Sequence, residues 1–207
     1  MKNKKPNIIL IISDQHNTSK EAETPNLDSL AKQGTNFTEC YCSSPLCVPS
    51  RSGMLSVDIF PSVLECLGTK PKPEDTRLPG HSLWEYAKGK ETNRAIFCES
   101  HAFAYKHAVY MLRYGNYKLV YYVDGKPQLF NIEEDPMELN DLSDDVAYLP
   151  VIDDLTKRLV ELCNPEEIDA QALDEQKMLL GLYGGADAIL MNKNKFFYPY
   201  STIPDGI

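Results

Sequence analysis

Residues 7–12 form a continuous apolar run, Asn-Ile-Ile-Leu-Ile-Ile, that is rich in β-branched side chains. Such a run predicts a strand buried on both faces, as in a parallel sheet covered by helices. The run leads into Ser13 and Asp14, and ligands of open α/β sheets bind just beyond the carboxyl ends of the strands. Asp14 is therefore a candidate functional carboxylate, with a turn or capping role as the alternative.

A helix and a second strand are predicted after this run. Thr24 as N-cap, Pro25 in the first turn and Gly34 at the end are typical helix signals. The expected buried face of this helix carries three apolar residues, Leu27, Leu30 and Ala31. Residues 36–42 are expected to form the next strand, and residues 58–68 a further amphipathic helix.

The second half of the chain alternates in the manner of a small antiparallel sheet. Strands are predicted at residues 94–99, 109–114, 117–123 and 128–132, and helices at residues 150–162 and 165–182. Asp124-Gly125 is a hairpin-turn signal between the last two strands. The order of elements predicts an α/β layer covered by helices, followed by a smaller α+β subdomain with antiparallel strands.

Net charge, apolar stretches and cysteine content indicate which partners and which compartment to expect. The net charge is −9 and the basic residues are scattered, so we expect no nucleic acid as a partner. No stretch reaches the length of a membrane span, and the apolar run at the start is too short for a signal peptide. Six cysteines without paired Cys-x-x-Cys motifs are expected to be reduced thiols, which favours a cytoplasmic protein.

The pentapeptide Cys47-Val48-Pro49-Ser50-Arg51 has the pattern Cys-x-Pro-Ser-Arg. Pro49 is tolerated in a first helical turn, so the sequence predicts that Cys47 lies just before a helix N-terminus, close to Arg51. Both features favour negative charge on the group that Cys47 carries. The alternative is a small buried hydrophobe, which is the usual role of a free cysteine.

Several motifs together resemble the type I sulfatases, which belong to the alkaline-phosphatase-like superfamily. The matching segments are residues 11–16 (Ile-Ile-Ser-Asp-Gln-His), 24–28 (Thr-Pro-Asn-Leu-Asp), 47–51, 58–64, 113–121 and 129–142. They occur in the order found in the family. The resemblance implies a sulfuric ester hydrolase with an alkaline-phosphatase-like sheet, which would be incomplete here.

The resemblance also implies a site. In the family, a maturation enzyme reads the motif whose members here are Cys47, Pro49, Ser50 and Arg51, and oxidises the cysteine to formylglycine. The hydrated aldehyde attacks sulfur, and its second hydroxyl later expels sulfate. Asp14, Gln15 and the modified Cys47 would hold a divalent metal, and Arg51 would hold the formylglycine. Oxygen ligands suit calcium first, with magnesium or manganese as alternatives.

The chain departs from the family pattern in its middle. Ser56-Val57 leads directly into Asp58-Ile59, whereas family members carry a long central segment there with further metal ligands and sulfate-binding residues. The resemblance therefore implies an N-terminal sulfatase-like portion over residues 1–90 with an internal deletion near 56–58. A C-terminal sulfatase subdomain would span residues 91–185, and residues 186–207 would form a tail.

Four readings of the function remain open. The first is hydrolysis of a sulfate ester, in a small molecule or a glycan, with weak or no activity because the central residues are absent. The second is a phosphonate or phosphodiester hydrolase of the same superfamily. The third is a non-catalytic remnant or pseudoenzyme. The fourth is a cysteine nucleophile paired with His101 or His107.

Overall fold

The structure is a computed structural model that describes residues 6–13, 23–90, 94–101 and 105–191. Four strands form its sheet: β1 (Ile96–Ser100), β2 (Val109–Tyr114), β3 (Tyr117–Tyr122) and β4 (Gln128–Asn131). The α-helices of the described residues are α1 (Pro25–Gln33), α2 (Cys47–Met54), α3 (Phe60–Cys66), α4 (Trp84–Ala87), α5 (Leu149–Leu162), α6 (Pro165–Leu182) and α7 (Ala186–Met191). A π-helical turn, Leu55–Ile59, joins α2 to α3, and 3₁₀ turns occupy Pro73–Arg77 and Val146–Tyr148.

The sheet has the order β1-β2-β3-β4, and each neighbouring pair is antiparallel. Its register places Leu112 opposite Leu119, and Leu119 opposite Leu129. All three leucines are fully buried, as are Leu155 and Leu159 of α5 in the same apolar cluster. Helix α5 therefore covers one face of the sheet, and this packing forms the hydrophobic core.

The turns of the sheet follow from local residue chemistry. Gly115, between β2 and β3, has a φ of +58°, which glycine adopts without steric cost. Asp124 has a φ of +60°, and the N–H of Gly125 donates to the carbonyl of Tyr122 at 3.1 Å. The hairpin turn predicted at Asp124-Gly125 is confirmed.

Helix α6 is held to the residues that lead into β2 by polar contacts. Asn164 caps α6, because its side chain accepts a hydrogen bond from the N–H of Glu167, and Pro165 occupies the first turn. The buried Asp169 of α6 accepts hydrogen bonds from the N–H of Ala108 and from the His107 ring. The C-terminal strands and helices predicted from the sequence are confirmed, with ends shifted by one or two residues.

The N-terminal part differs from the sequence prediction. Residues 7–12 do not form a strand, and Ile9 and Ile11 are 84% and 72% exposed. The predicted buried strand is wrong, because no strand of the described residues lies beside this run to pair its backbone or cover its side chains. The strand predicted at residues 36–42 is also wrong, since this segment is irregular and mostly exposed.

Helix α1 forms as predicted, but its predicted buried face is wrong. Leu27 and Leu30 are 44% and 60% exposed, and α1 buries no residue. An amphipathic face is buried only when another element packs on it. Among the helices of the described ranges, none is both long enough and apolar enough to cross a membrane.

Candidate functional site

Cys47 is the first residue of α2, and its side chain is exposed. The preceding Leu46 has extended backbone angles, and the N–H of Ser50 donates to its carbonyl at 2.9 Å, which closes the first helical turn. Pro49 lies within that turn, where a helix needs no internal N–H donor. The sequence prediction for Cys47 is accurate to one residue, and a buried structural role for this thiol is excluded.

Arg51 follows Cys47 by four residues on the same helix, which places the two side chains on one face. Arg51 is half-buried and takes part in an interaction within the protein. Arg51 lies in the last turn of this eight-residue helix, and the N–H groups of its first turn contribute positive potential beside position 47.

The helix is held by a close approach at Gly53. A Cβ atom at this position would lie 1.9 Å from the Ser43 hydroxyl and 3.0 Å from the Ser43 Cβ. A side chain at position 53 would therefore force the Ser43 side chain to move from its place against α2. The carbonyl of Ser43 in turn accepts the N–H of Glu99 at 3.0 Å, which ties this segment to β1.

Asp58 connects three parts of the chain just after α2. Its carboxylate accepts the backbone N–H of His81 at 3.0 Å and the Arg94 Nη1 at 2.9 and 3.0 Å. Burial acts to lower the pKa of Arg94, but its hydrogen bonds to Asp58 and Tyr86 outweigh this and raise the pKa. Sequence analysis missed this ion pair, because the two residues lie far apart in the chain and no local pattern links them.

The same region positions the tryptophan of the chain. The Ser62 hydroxyl donates to the Asp58 carbonyl at 2.6 Å and accepts the N–H of Leu83 at 2.8 Å. The Trp84 indole donates to the Ser62 carbonyl at 2.9 Å. Ser62 of α3 therefore binds the start of α4 through two hydrogen bonds, and a third joins Ser62 to Asp58.

The predicted metal ligands Asp14 and Gln15 lie outside the described residues. Within the described ranges, no group of three or more His, Cys, Asp or Glu side chains is arranged to hold a metal ion. The side chains of the described residues therefore do not by themselves form a site for a divalent cation.

The two histidines considered as partners for Cys47 are both engaged by carboxylates. His107 Nδ1 lies 2.8 Å from Asp169, and its Nε2 lies 3.9 Å from Asp124. His101 Nε2 lies 3.4 Å from Glu99, at the end of β1. The contacts of the described residues join neither imidazole to Cys47, so the reading of Cys47 as a histidine-activated thiol is not supported.

Two family models match the chain. The model described as "N-sulphoglucosamine sulphohydrolase, C-terminal" matches residues 49–165, more than half of the chain. The model described as "Sulfatase" matches residues 6–58.

Curated relatives match over parts of the chain. A sulfatase of Formosa agariphila is 36% identical over 74 residues, which cover 32% of this chain and 14% of that protein. An arylsulfatase of Clostridium perfringens is 42% identical over 59 residues, covering 25% and 12%. Arylsulfatase K of Danio rerio is 34% identical over 112 residues, covering 50% and 20%. The matched part of the chain thus spans between 12% and 20% of the length of these three relatives.

Parts of the chain also resemble solved structures of sulfatases and of a phosphonate hydrolase. A 2-O GAG sulfatase has a TM-score of 0.41 at 20% identity, covering 58% of this chain and 26% of that chain. The phosphonate monoester hydrolase of Agrobacterium radiobacter has a TM-score of 0.40 at 27% identity, covering 51% and 24%. Because one family model matches more than half of the chain and a second matches the segment that precedes it, the chain belongs to the type I sulfatase family.

Proposed function

We propose that this chain carries the formylglycine site of a sulfuric ester hydrolase, and that its turnover in isolation is weak or nil. The observation that supports the site is the exposed Cys47 at the first position of α2, within a complete Cys-x-Pro-Ser-Arg motif. Exposure gives access to a formylglycine-generating maturation enzyme and to substrate. The proposed substrate is a sulfate ester of a small molecule or a glycan.

The residues of α2 suit this chemistry. Hydrated formylglycine supplies a hydroxyl nucleophile and a second hydroxyl that can later release sulfate. The helix N-terminus stabilises negative charge at position 47. Arg51, on the same face, would orient the modified side chain and offset the charge of a sulfate group.

A divalent metal is part of the proposal, with calcium as the first choice and magnesium or manganese as alternatives. Asp14 and Gln15 would supply two oxygen donors, and the modified Cys47 a third. Calcium takes about six to eight oxygen ligands, so these three leave the coordination sphere incomplete. This shortage is one reason to expect weak turnover, and we assign no catalytic step to the metal.

The position of the proposed deletion is supported by the family models. The "Sulfatase" match ends at residue 58, and the C-terminal match has already begun at residue 49. Two segments of one family thus meet within ten positions around Ser56 and Asp58. We therefore retain the boundaries proposed from the sequence, with a sulfatase-like portion over residues 1–90, a C-terminal subdomain over 91–185 and a tail over 186–207.

A non-catalytic remnant is the second candidate, and one observation favours it. Ile9 and Ile11 expose most of their surface in a run that resembles a central strand of the family sheet. Residues 7–12 have no paired strand among the described residues, whereas a family sheet would require one. A phosphonate or phosphodiester hydrolase is a further alternative, and only substrate tests separate it from a sulfatase.

The test combines mass analysis and turnover. The protein is produced with a formylglycine-generating enzyme, and the tryptic peptide 33–51 is examined for replacement of one sulfur and two hydrogens by one oxygen. The Cys47→Ala variant should lack the change, and Cys40→Ala, in the same peptide, should retain it. An unmodified Cys47 would refute the site, whereas a modified Cys47 with rapid aryl sulfate hydrolysis would refute the weak turnover. A modified Cys47 with negligible hydrolysis of aryl sulfate and aryl phosphonate esters is the expected result.

A further inference from the structure

The segment before Cys47 contacts the outer edge of β1. Glu99 donates its N–H to the Ser43 carbonyl at 3.0 Å, on the side of β1 that faces away from β2. Cys42 and Cys98 directly precede these two partners in the chain, and Cys42 is close enough to Cys98 to affect the pKa of its thiol.

The two thiols differ in their surroundings. Cys42 is exposed, whereas Cys98 is half-buried within β1. Burial, followed by the nearby Cys42, raises the pKa of Cys98 to about 11. A reagent in solution therefore meets Cys42 first, and Cys98 is protected from direct attack but adjacent to the Cys42 sulfur.

We propose that Cys42 and Cys98 form a reversible disulfide that closes by exchange with a small-molecule disulfide of the glutathione type. In the first step, the Cys42 thiolate attacks the reagent disulfide, forming a mixed disulfide and releasing one thiol. In the second, the Cys98 thiolate attacks the Cys42 sulfur and releases the other thiol. One reagent disulfide is reduced to two thiols, and the two cysteines are oxidised.

Closure has a structural consequence for the Cys47 site. The Ser43 contact with β1 is a single backbone hydrogen bond, and a covalent bond beside it would fix the segment that supports α2 through Gly53. The oxidised chain is therefore expected to open less often around Cys47. This proposal does not depend on sulfatase activity, since it concerns two thiols outside the modification motif.

The experiment uses the full chain and oxidised glutathione. After acid quenching and trypsin digestion, Cys98 lies in peptide 95–106, while peptide 33–51 contains Cys40, Cys42 and Cys47. The expected product is a linked pair of these peptides, lighter by two hydrogens than their sum, which dithiothreitol separates. Cys42→Ser should abolish the link, and the matched control Cys40→Ser should preserve it.

Kinetics provide a second readout. At pH values below the Cys98 pKa, the mixed disulfide at Cys42 should convert to the linked product about tenfold faster for each unit by which the pH is raised, because the thiolate of Cys98 is the attacking species. Unreacted Cys98 in excess glutathione disulfide would overturn the proposal. So would a link that survives Cys42→Ser, or a closing step that does not depend on pH. Circular dichroism of Cys42→Ser should match the parent chain, since this side chain is exposed.

Discussion

Removing the Asp58–Arg94 ion pair is expected to destabilise the region that follows the Cys47 helix. Asp58→Ala deprives the Arg94 guanidinium of two contacts, at 2.9 and 3.0 Å, and the N–H of His81 of its acceptor. The side chains of Asp58 and Arg94 are 29% and 30% exposed. Exposed pairs contribute about 0.2–1 kcal/mol, and breaking a buried pair costs about 3–5 kcal/mol. At this intermediate exposure we expect a coupling free energy of about 2 kcal/mol.

The coupling is measured with a double-mutant cycle of Asp58→Ala, Arg94→Met and the double variant. Trp84 is the single tryptophan of the chain, and its indole is bound to the Ser62 carbonyl beside Asp58. Urea unfolding followed by Trp84 fluorescence therefore reports on this region, while far-ultraviolet circular dichroism reports on the whole chain. The cycle is evaluated from the fluorescence midpoints with m-values held in common.

A matched pair on α5 supplies the control. Asp153 and Lys157 are joined at 3.6 Å with side chains 77% and 74% exposed, so their cycle should give about 0.3 kcal/mol. A coupling for Asp58 and Arg94 below about 0.5 kcal/mol, or equal to that of the control, would refute the argument that partial burial strengthens this pair. Raising the salt concentration should weaken the control pair more than the Asp58 pair.

Three further predictions concern the core, a tyrosine and a glycine contact. Leu112→Ala should cost about 3 kcal/mol in urea unfolding, because the residue is fully buried; a cost under about 1 kcal/mol would contradict the assigned core. The hydrogen bond from Tyr121 to Glu166, followed by burial, raises the Tyr121 pKa to about 12. Its contribution to stability is fully present below pH 10 and is lost as the pH rises through 12, so ultraviolet titration should show a late step that Tyr121→Phe removes. Gly53→Ala should speed trypsin cleavage near α2 about tenfold, because the added Cβ would clash with the Ser43 side chain. Gly181→Ala, whose Cβ meets no atom within 4 Å, should instead stabilise its helix by about 0.5–1 kcal/mol.

The C-terminal subdomain could be predicted from the sequence because its signals are local. Strand β2 alternates between half-buried and buried residues as far as Leu112, as expected for a strand with one face on the core. The turn at Asp124 needs only its own backbone preferences and those of the following glycine. Residues 7–12 carry an equally clear pattern, but a strand also requires a neighbour for its backbone hydrogen bonds. The residues of the run do not show whether such a neighbour is present, so the prediction failed there.

The candidate site was likewise predictable only where its signals are local. The pentapeptide correctly placed Cys47 at a helix start, because Pro49 and the residues around it act within one turn. The contacts that hold this helix join distant positions: Ser43 with Glu99, and Asp58 with Arg94. No periodicity relates such pairs in a single sequence.

These contacts bear on how the Cys47 motif becomes accessible. The apolar core of the described residues lies between Ala108 and Leu159, whereas α1, α3 and α4 bury no residue. The segment before α2 and the turn after it are attached to the rest of the chain through hydrogen bonds and the Asp58–Arg94 ion pair. Local opening is cheapest where few apolar contacts are lost. We therefore expect the segment that contains Cys47 to open without unfolding the sheet, which would make the whole motif available to the proposed maturation enzyme.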